Sequence, residues 1–575
     1  MRKIIIPLLG LFVSVASWAM PAKPGKVVMT QPDGTKIETY VRGDEWFHYY
    51  ETLDGKVLLP AADGALKYAT VDASGNVVAG DVAAGGSSAQ YSPKRVARAA
   101  KAADAAALRP ALAAQAERAR RKASEPGAIK LKFPTTGTMR GIIILAQYQD
   151  VKFTKQSTLQ KFQDMAMSDN YQGKNAPGSM REYFVTQSAG QFTPEFDVVG
   201  PVTLPHDRKY YGGPESGSER ISEMMEDASE LAMNECGVDF SKYDANGDGF
   251  VDFLYVIYAG HGQAQGGPVE SVWPCALDLT TDVSIPDFNG VYLGRTACSC
   301  ELSGGEGETL DGIGTFCHEF SHILGLPDIY DVNYTSCYGM GHYDIMDRGG
   351  YNNNGYTPCG YTAMDKYTVG WLKPTLLDAS ATGLQLDDLA KSNKAFFLVS
   401  GKDKNEYYTF ENRQANKWDA ALPGHGLLVS HVKYSSSLWN NNIVNTAKSG
   451  FEHVQLIAAD NLWTDVSDDD PDAEANDVFP GLEGRYTAFT GSTKPALTWR
   501  TGETSEGQGL TNISLSGDGI VSFDYNAVST GVSGVTDSAA ATADDAYYTL
   551  QGTRADGGNL PKGVYVHGGK KVVVK

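Results

Sequence analysis

His318-Glu319-Phe320-Ser321-His322 places two imidazoles and a carboxylate within five residues, and Gly325 and Asp328 follow at short spacing. On a helix, histidines at i and i+4 stand one above the other on one face, so both rings can reach a single tetrahedral cation. Glu319, directly after the first histidine, then lies beside the metal, where it can take a proton from water instead of acting as a ligand. This is a zinc peptidase pattern. Gly325 lets the chain leave the helix at positive φ, and Pro327 stops the helix from resuming. The chain therefore turns back toward the metal, and Asp328 is the expected third ligand, with Asp331, Asp347 and Asp365 as the next candidates. A fourth position stays open for water and substrate. Phe316, Cys317, Phe320, Ile323 and Leu324 surround the polar trio. Burying two histidines and a glutamate unpaired is costly, which argues for a metal over a chance motif on a surface helix.

A second constellation precedes the first. Asp244, Asn246, Asp248 and Asp252 stand at positions 1, 3, 5 and 9 of a calcium loop, with the Phe250 carbonyl at position 7 and Gly249 at the sharp turn. Tyr255 occupies the place where a full EF-hand has glutamate, so another segment must complete the shell. A structural Ca2+ is the expectation, against a plain turn of mutually repelling carboxylates. Asp344-Ile-Met346-Asp347 reads either as a methionine turn beneath the metal or as a core methionine at a tight turn.

Elements to carry these residues are legible around them. Gly141–Ala146, Gln191–Val199 and Phe253–Tyr258 read as strands, and Ser179 onward, Ser218–Asn234 and Tyr361–Trp371 as helices. Before them, residues 20 to about 90 alternate short β-like runs with turns at Pro32-Asp33-Gly34, Asp54-Gly55, Asp63-Gly64 and Gly75-Asn76. Lys94 to Lys122 is alanine-rich with nine basic and two acidic residues, a solvated linker open to cleavage at Arg118–Lys122. After residue 390 come short strands such as Lys394–Ser400, Glu406–Glu411 and Gly426–Val432. Their acidic loop, Asp465–Asp477, reads as solvated in preference to a second cation site.

The 575 residues carry a formal charge of -20, which argues against a nucleic-acid partner. Arg2 and Lys3, the apolar run Ile4–Val15 and Ser17-Trp18-Ala19 read as a cleavable secretory signal, so the mature chain is expected near Met20. No cysteine stands directly after the cut, so no lipoprotein anchor is expected, and no later apolar run is long enough to span a bilayer, so no transmembrane anchor is expected. Export permits disulfides. Seven cysteines cannot all pair within one chain, and Cys317 is the expected buried free thiol. The expected organisation is α+β: signal 1–19, propeptide 20–135, catalytic domain 136–390, antiparallel β domain 391–528, and linker and tail 529–575. The tail ends in a small strand pair.

These motifs resemble the immune inhibitor A family of secreted bacterial metallopeptidases over roughly residues 25–525. The zinc helix with Leu326-Pro-Asp-Ile-Tyr-Asp331 carries the likeness, supported by Asp248–Asp252 leading to Ile257–Gly260, by Trp273-Pro274, and by Glu411–Gln414 with Leu422–Gly424 and Gly426–Leu428. Ser321 stands where the family commonly has glycine. The resemblance implies a zincin-like catalytic domain, a propeptide-held zymogen, protein or peptide substrates, His318 and His322 as zinc ligands and Glu319 as general base. Tyr548-x-Leu-x-Gly552 and Gly563–Val573 are similar to C-terminal tails of exported Bacteroidetes proteins, implying export machinery as a partner and a secreted or surface location. The rival expectation from another class is an adhesion protein with a closed, structural zinc.

Overall fold

The computed structural model describes residues 16–45, 48–74, 76–86, 133–213, 217–280, 285–332, 338–445, 452–462, 473–503, 505–527, 547–549, 554–555, 560–567 and 570–574. Most of the expected signal, the basic linker Lys94–Lys122, Cys337, much of the acidic loop and the linker 529–545 lie outside the described residues.

Runs of residues buried on both faces build the middle of a central sheet of six strands. In chain order these are β1 (Ala16–Trp18), β2 (Gly137–Gln147), β3 (Phe192–Thr203), β4 (Leu254–His261), β5 (Cys275–Asp278) and β6 (Arg295–Leu302). Their spatial order is β1-β5-β6-β4-β2-β3. β3, β2, β4 and β6 run parallel, whereas β5 is antiparallel to β6 and β1 antiparallel to β5. Parallel strands are buried on both faces, and the residues divide accordingly. Ile143 and Leu145 of β2 and Tyr255 and Ile257 of β4 face one core, while Ile142, Ile144, Val256 and Tyr258 face the other.

The first core holds helices α1 (Leu159–Met167), α2 (Met180–Gln187) and α4 (Gly314–Ile323), the last bearing the two histidines. Ser179 caps α2 with a reciprocal Glu182 capping box, which fixes its start. The second core holds α3 (Gly217–Cys236) and an N-terminal sheet of six antiparallel strands in sequence order between Lys26 and Ala83. Val27, Met29, Val41, Tyr50 and Leu58 of that sheet pack in the same cluster as β2 and β4 residues.

Two further sheets follow, and they begin at Thr375–Leu376 and Ala381–Leu386, earlier than the residue-391 boundary read from the sequence. They face each other across Leu398, Phe410, Val429, Leu510, Val521 and Phe523. The opposite face of the first sheet, with Phe397, Leu428 and Val432, packs into the α4 core. The architecture is thus mixed α and β, with a largely parallel centre between mostly antiparallel sheets, Thr375–Leu376 pairing parallel with Phe396–Phe397. A separate unit from Val528 onward contains a four-stranded antiparallel sheet, Tyr547–Thr549, Arg554–Ala555, Gly563–His567 and Lys570–Val574, where a strand pair was expected.

Cys236, Cys298, Cys300, Cys317 and Cys359 are free thiols, so the disulfides that export permits are not formed by these five. Four are buried and act as small apolar side chains. The end of the acidic segment also departs from its solvated reading. Glu474 and Asp477 are buried, and Glu474 bonds His342 Nδ1 at 2.9 Å, because the chain there returns across the core instead of staying in water.

Arg413 ties the C-terminal sheets to the centre. Its buried guanidinium grips Asp419 through two bonds of 2.8 and 2.7 Å, reaches Glu411 Oε1 at 3.2 Å, and donates to the Tyr343 and Gly360 carbonyls. Arg413→Ala leaves two buried carboxylates without their cation, and a loss of about 3–5 kcal/mol is expected in denaturant unfolding. Lysine at 413 should restore little, lacking the planar fork.

Candidate metal centre

α4 starts where two glycines allow close approach. A Cβ on Gly312 would stand 2.1 Å from the Gly355 carbonyl oxygen, and one on Gly314 1.9 Å from that of Gly350. The helix end is a glycine reversal: Gly325 has φ +103°, its N–H donates to His322 O at 3.0 Å, and Leu326 N–H to Ser321 O at 3.1 Å. The reversal returns Leu326 O to the helix, where it accepts from His322 Nδ1 at 2.9 Å. His318 Nδ1 donates to Ile345 O at 2.7 Å, in the turn before the fully buried Met346.

With each Nδ1 proton committed to a carbonyl, both Nε2 lone pairs face inward. They stand 3.1 Å apart, and Asp328 Oδ1 lies 3.2 Å from His318 Nε2 and 3.3 Å from His322 Nε2. Ligands about 2.0–2.1 Å from a tetrahedral zinc are about 3.3–3.4 Å from one another, so this triangle fits that ion. Asp328 Oδ1 is buried without a hydrogen-bond partner, as is Glu319 Oε2. Burial holds His318 below its ordinary pKa, keeping the imidazole neutral as a ligand must be. Among the described residues, His318, Glu319 and His322 form the group of metal-binding side chains whose ligand atoms all lie within 4.8 Å of one another.

The alternative ligands are engaged elsewhere. Asp347 Oδ2 accepts from the Met340 and Gly341 amides, and Asp365 caps the helix that follows Thr362. Asp328 is instead clamped by Asn442, which accepts from its N–H at 2.6 Å and donates to Oδ2 at 2.5 Å. Sequence reasoning missed Asn442. It stands 114 residues away, on no motif.

Glu319 is fully buried, and burial pushes its carboxyl well above the usual range; Cys275 and nearby carboxyls add to this, and an N–H from Met20 opposes it. That N–H belongs to a segment lying along the cleft. β1 forms the edge of the central sheet by pairing with β5, with Trp18 opposite Ala276, and the Trp18 ring lies 6.0 Å from His322. Tyr330 Oη then donates to Ala19 O at 2.7 Å, Met20 N donates to Glu319 Oε1 at 2.9 Å, Trp273 Nε1 to Met20 O at 3.0 Å, and Tyr351 Oη to Pro21 O at 2.7 Å.

In the calcium-type loop, Asp244 accepts from the Asp248 and Gly249 amides, Asn246 from Asp248, Asp248 from Phe250, and Asp252 from Ala245. Burial, reinforced by Asp248 and Asp244, pushes Asp252 up to about 6.

A buried His-Glu-His group on one helix, beside a cleft walled by an antiparallel edge strand, defines a metallopeptidase site. Residues 130–374 match the sequence profile described as immune inhibitor A peptidase M6, catalytic domain. Residues 130–374 thus carry a catalytic domain of the M6 immune inhibitor A type, that of zinc metallopeptidases. The chain is 26% identical over 224 residues to immune inhibitor A of Bacillus thuringiensis subsp. alesti, and 26% identical over 220 residues to the pre-pro-metalloprotease PrtV of Vibrio cholerae serotype O1. These alignments cover 33% of this chain but only 31% and 23% of those relatives.

Asp328→Ala should lower zinc content. Asn442→Ala, which leaves every ligand in place, should weaken zinc affinity by about 10- to 100-fold. Metal titration of both purified variants tests this, and unchanged affinity in each would exclude Asp328 from the site.

Proposed function

We propose that this protein is an exported zinc endopeptidase with a zincin-like catalytic domain, made as a zymogen and acting on proteins or peptides. The observation that carries the reading is the Ala19–Met20 peptide seated at the His-Glu-His group, with its nitrogen on the buried carboxylate. A closed structural zinc has four protein ligands and no use for a buried, partnerless Glu319 oxygen beside it. His318, His322 and Asp328 hold the ion.

When bound, zinc polarises the scissile carbonyl and acidifies water at the remaining position. Glu319 accepts the proton of the attacking water. Its raised pKa keeps that proton transferable, and it passes it to the leaving nitrogen, whose place Met20 N marks. Once β1 is gone, β5 offers that edge to an extended substrate, which joins antiparallel as β1 does. Met20 points its side chain at Gly350, where a Cβ would stand 2.8 Å from Met20 Cε.

The same contacts support latency. Residues 16–22 cross the centre before the signal is removed, and cleavage before Met20 leaves a new amine beside Glu319, with residues 20–22 still in place. A carboxylate stands close as well: Glu45 Oε2 is buried without a partner, and burial, then Asp44, Asp328 and Cys275, push its carboxyl well up. Cutting within Arg118–Lys122 would free the N-terminal sheet to leave. The Asp244–Asp252 loop is proposed to bind a structural Ca2+, and the C-terminal sheet to serve export machinery. Among the described residues no helix is long and apolar enough to cross a membrane.

Casein digestion should be chelator-sensitive, and Glu319→Gln should lose nearly all of it while still binding one zinc. A variant that keeps its activity would sink the general-base role. Limited trypsin should raise the activity of the secreted precursor and thiol reagents should not; equal activity before and after trypsin would show residues 20–135 to be an ordinary domain. Added calcium should raise the melting temperature, and Asp248→Ala should abolish that rise; a calcium-independent melt would leave the loop a plain turn.

A further inference from the structure

The peptide between Ala19 and Met20 makes two contacts with the centre, and peptidase chemistry has so far used one. Its nitrogen donates to Glu319 Oε1 at 2.9 Å, and its carbonyl oxygen accepts from Tyr330 Oη at 2.7 Å. In amide hydrolysis these two atoms have opposite fates. The nitrogen gains a proton and leaves, and the oxygen takes on negative charge. We propose that Tyr330 is a catalytic residue, whose phenol is the protein's hydrogen-bond donor to the oxyanion of the tetrahedral intermediate. The proposal rests on the peptidase reading above and adds to it the donor at the opposite end of the scissile bond.

Three observations support a fixed, desolvated donor. Tyr330 is buried, two residues after Asp328 on the segment that returns from α4. The neighbouring backbone is pinned on both sides: Ile329 N–H donates to Met346 O at 2.8 Å, and Ile329 O accepts from Asn445 Nδ2 at 2.7 Å. The accepting carbonyl is the one joined to the nitrogen held by the general base, so donor and base flank one bond. As the water oxygen bonds to the carbonyl carbon, Glu319 takes the water proton and the C=O π pair moves onto oxygen. Tyr330 keeps its own proton and donates only a hydrogen bond. When the C–N bond breaks, the pair returns to the carbonyl and the amine departs with the proton from Glu319. A preoriented donor in a dry site is worth more to the anion than to the neutral carbonyl, so its effect falls on the chemical step.

Tyr330→Phe removes one oxygen and leaves the ring. In the secreted, zinc-loaded protein after trypsin activation, kcat on an internally quenched peptide should fall by about 10²- to 10³-fold. KM should stay within about twofold, since the interaction belongs to the transition state. Zinc content should not change. A phosphinic pseudopeptide, whose anionic oxygen occupies the oxyanion position, should bind more weakly by calorimetry in the same proportion, a readout that needs no turnover. Unchanged kcat and inhibitor affinity, in a preparation where the unmutated protein cleaves and Glu319→Gln does not, would overturn the role of Tyr330 and make it a latch on the precursor alone. Absence of chelator-sensitive cleavage in the unmutated protein would overturn both this role and the peptidase reading.

Discussion

Three electron pairs pointing at one another within 3.3 Å, in a pocket closed to water, are the constraint that the rest of the molecule answers. His318 Nε2, His322 Nε2 and Asp328 Oδ1 have no proton to share, because Ile345 O and Leu326 O hold the Nδ1 protons and Asn442 occupies Asp328 Oδ2. Without a cation such a triangle is repulsive, which is the physical ground for reading it as a ligand set. The aromatic packing of Phe316 and Phe320 against Phe184, Phe196 and Phe253 keeps α4 from relaxing that geometry.

The second constraint is the sheet edge. β5 runs against its neighbour β6 and presents a ladder that an extended chain can join. An open edge beside a reactive centre invites pairing with any extended segment. In this structure the chain's own β1 takes that position, and the residues after it cross the centre, so one segment covers both the edge and the His-Glu-His group.

What the sequence disclosed was local. His318, Glu319 and His322 share a helix, Gly325 marks its reversal by the positive φ it must adopt, and Asp328 follows before the chain has wandered. The strands β2, β3 and β4 were visible as apolar runs, but their parallel pairing was not, since a buried run carries no direction. Asn442, Ile345 O and the Ala19–Met20 contact come from distant or backbone groups that leave no pattern. Tyr330 lay inside the quoted motif, but only the position of its hydroxyl shows what it touches. The acidic run ending at Asp477 misled because net charge predicts solvation only where the chain stays in water, and Glu474 there is drawn inward by His342.

The C-terminal sheets are part of the site. The family match ends at residue 374, yet Asn442 and the Arg413 network lie beyond it. Glu411 accepts from the Ala363 N–H and Arg413 from below holds the Tyr343 and Gly360 carbonyls, which bracket the turn whose Ile345 carbonyl orients His318. A displacement of the first C-terminal sheet would therefore reach the metal triangle by two routes, through Asn442 to Asp328 and through the 343–360 segment to His318. The α4 motif sets which atoms can bind the ion; these distant contacts set whether the atoms stand close enough to do so.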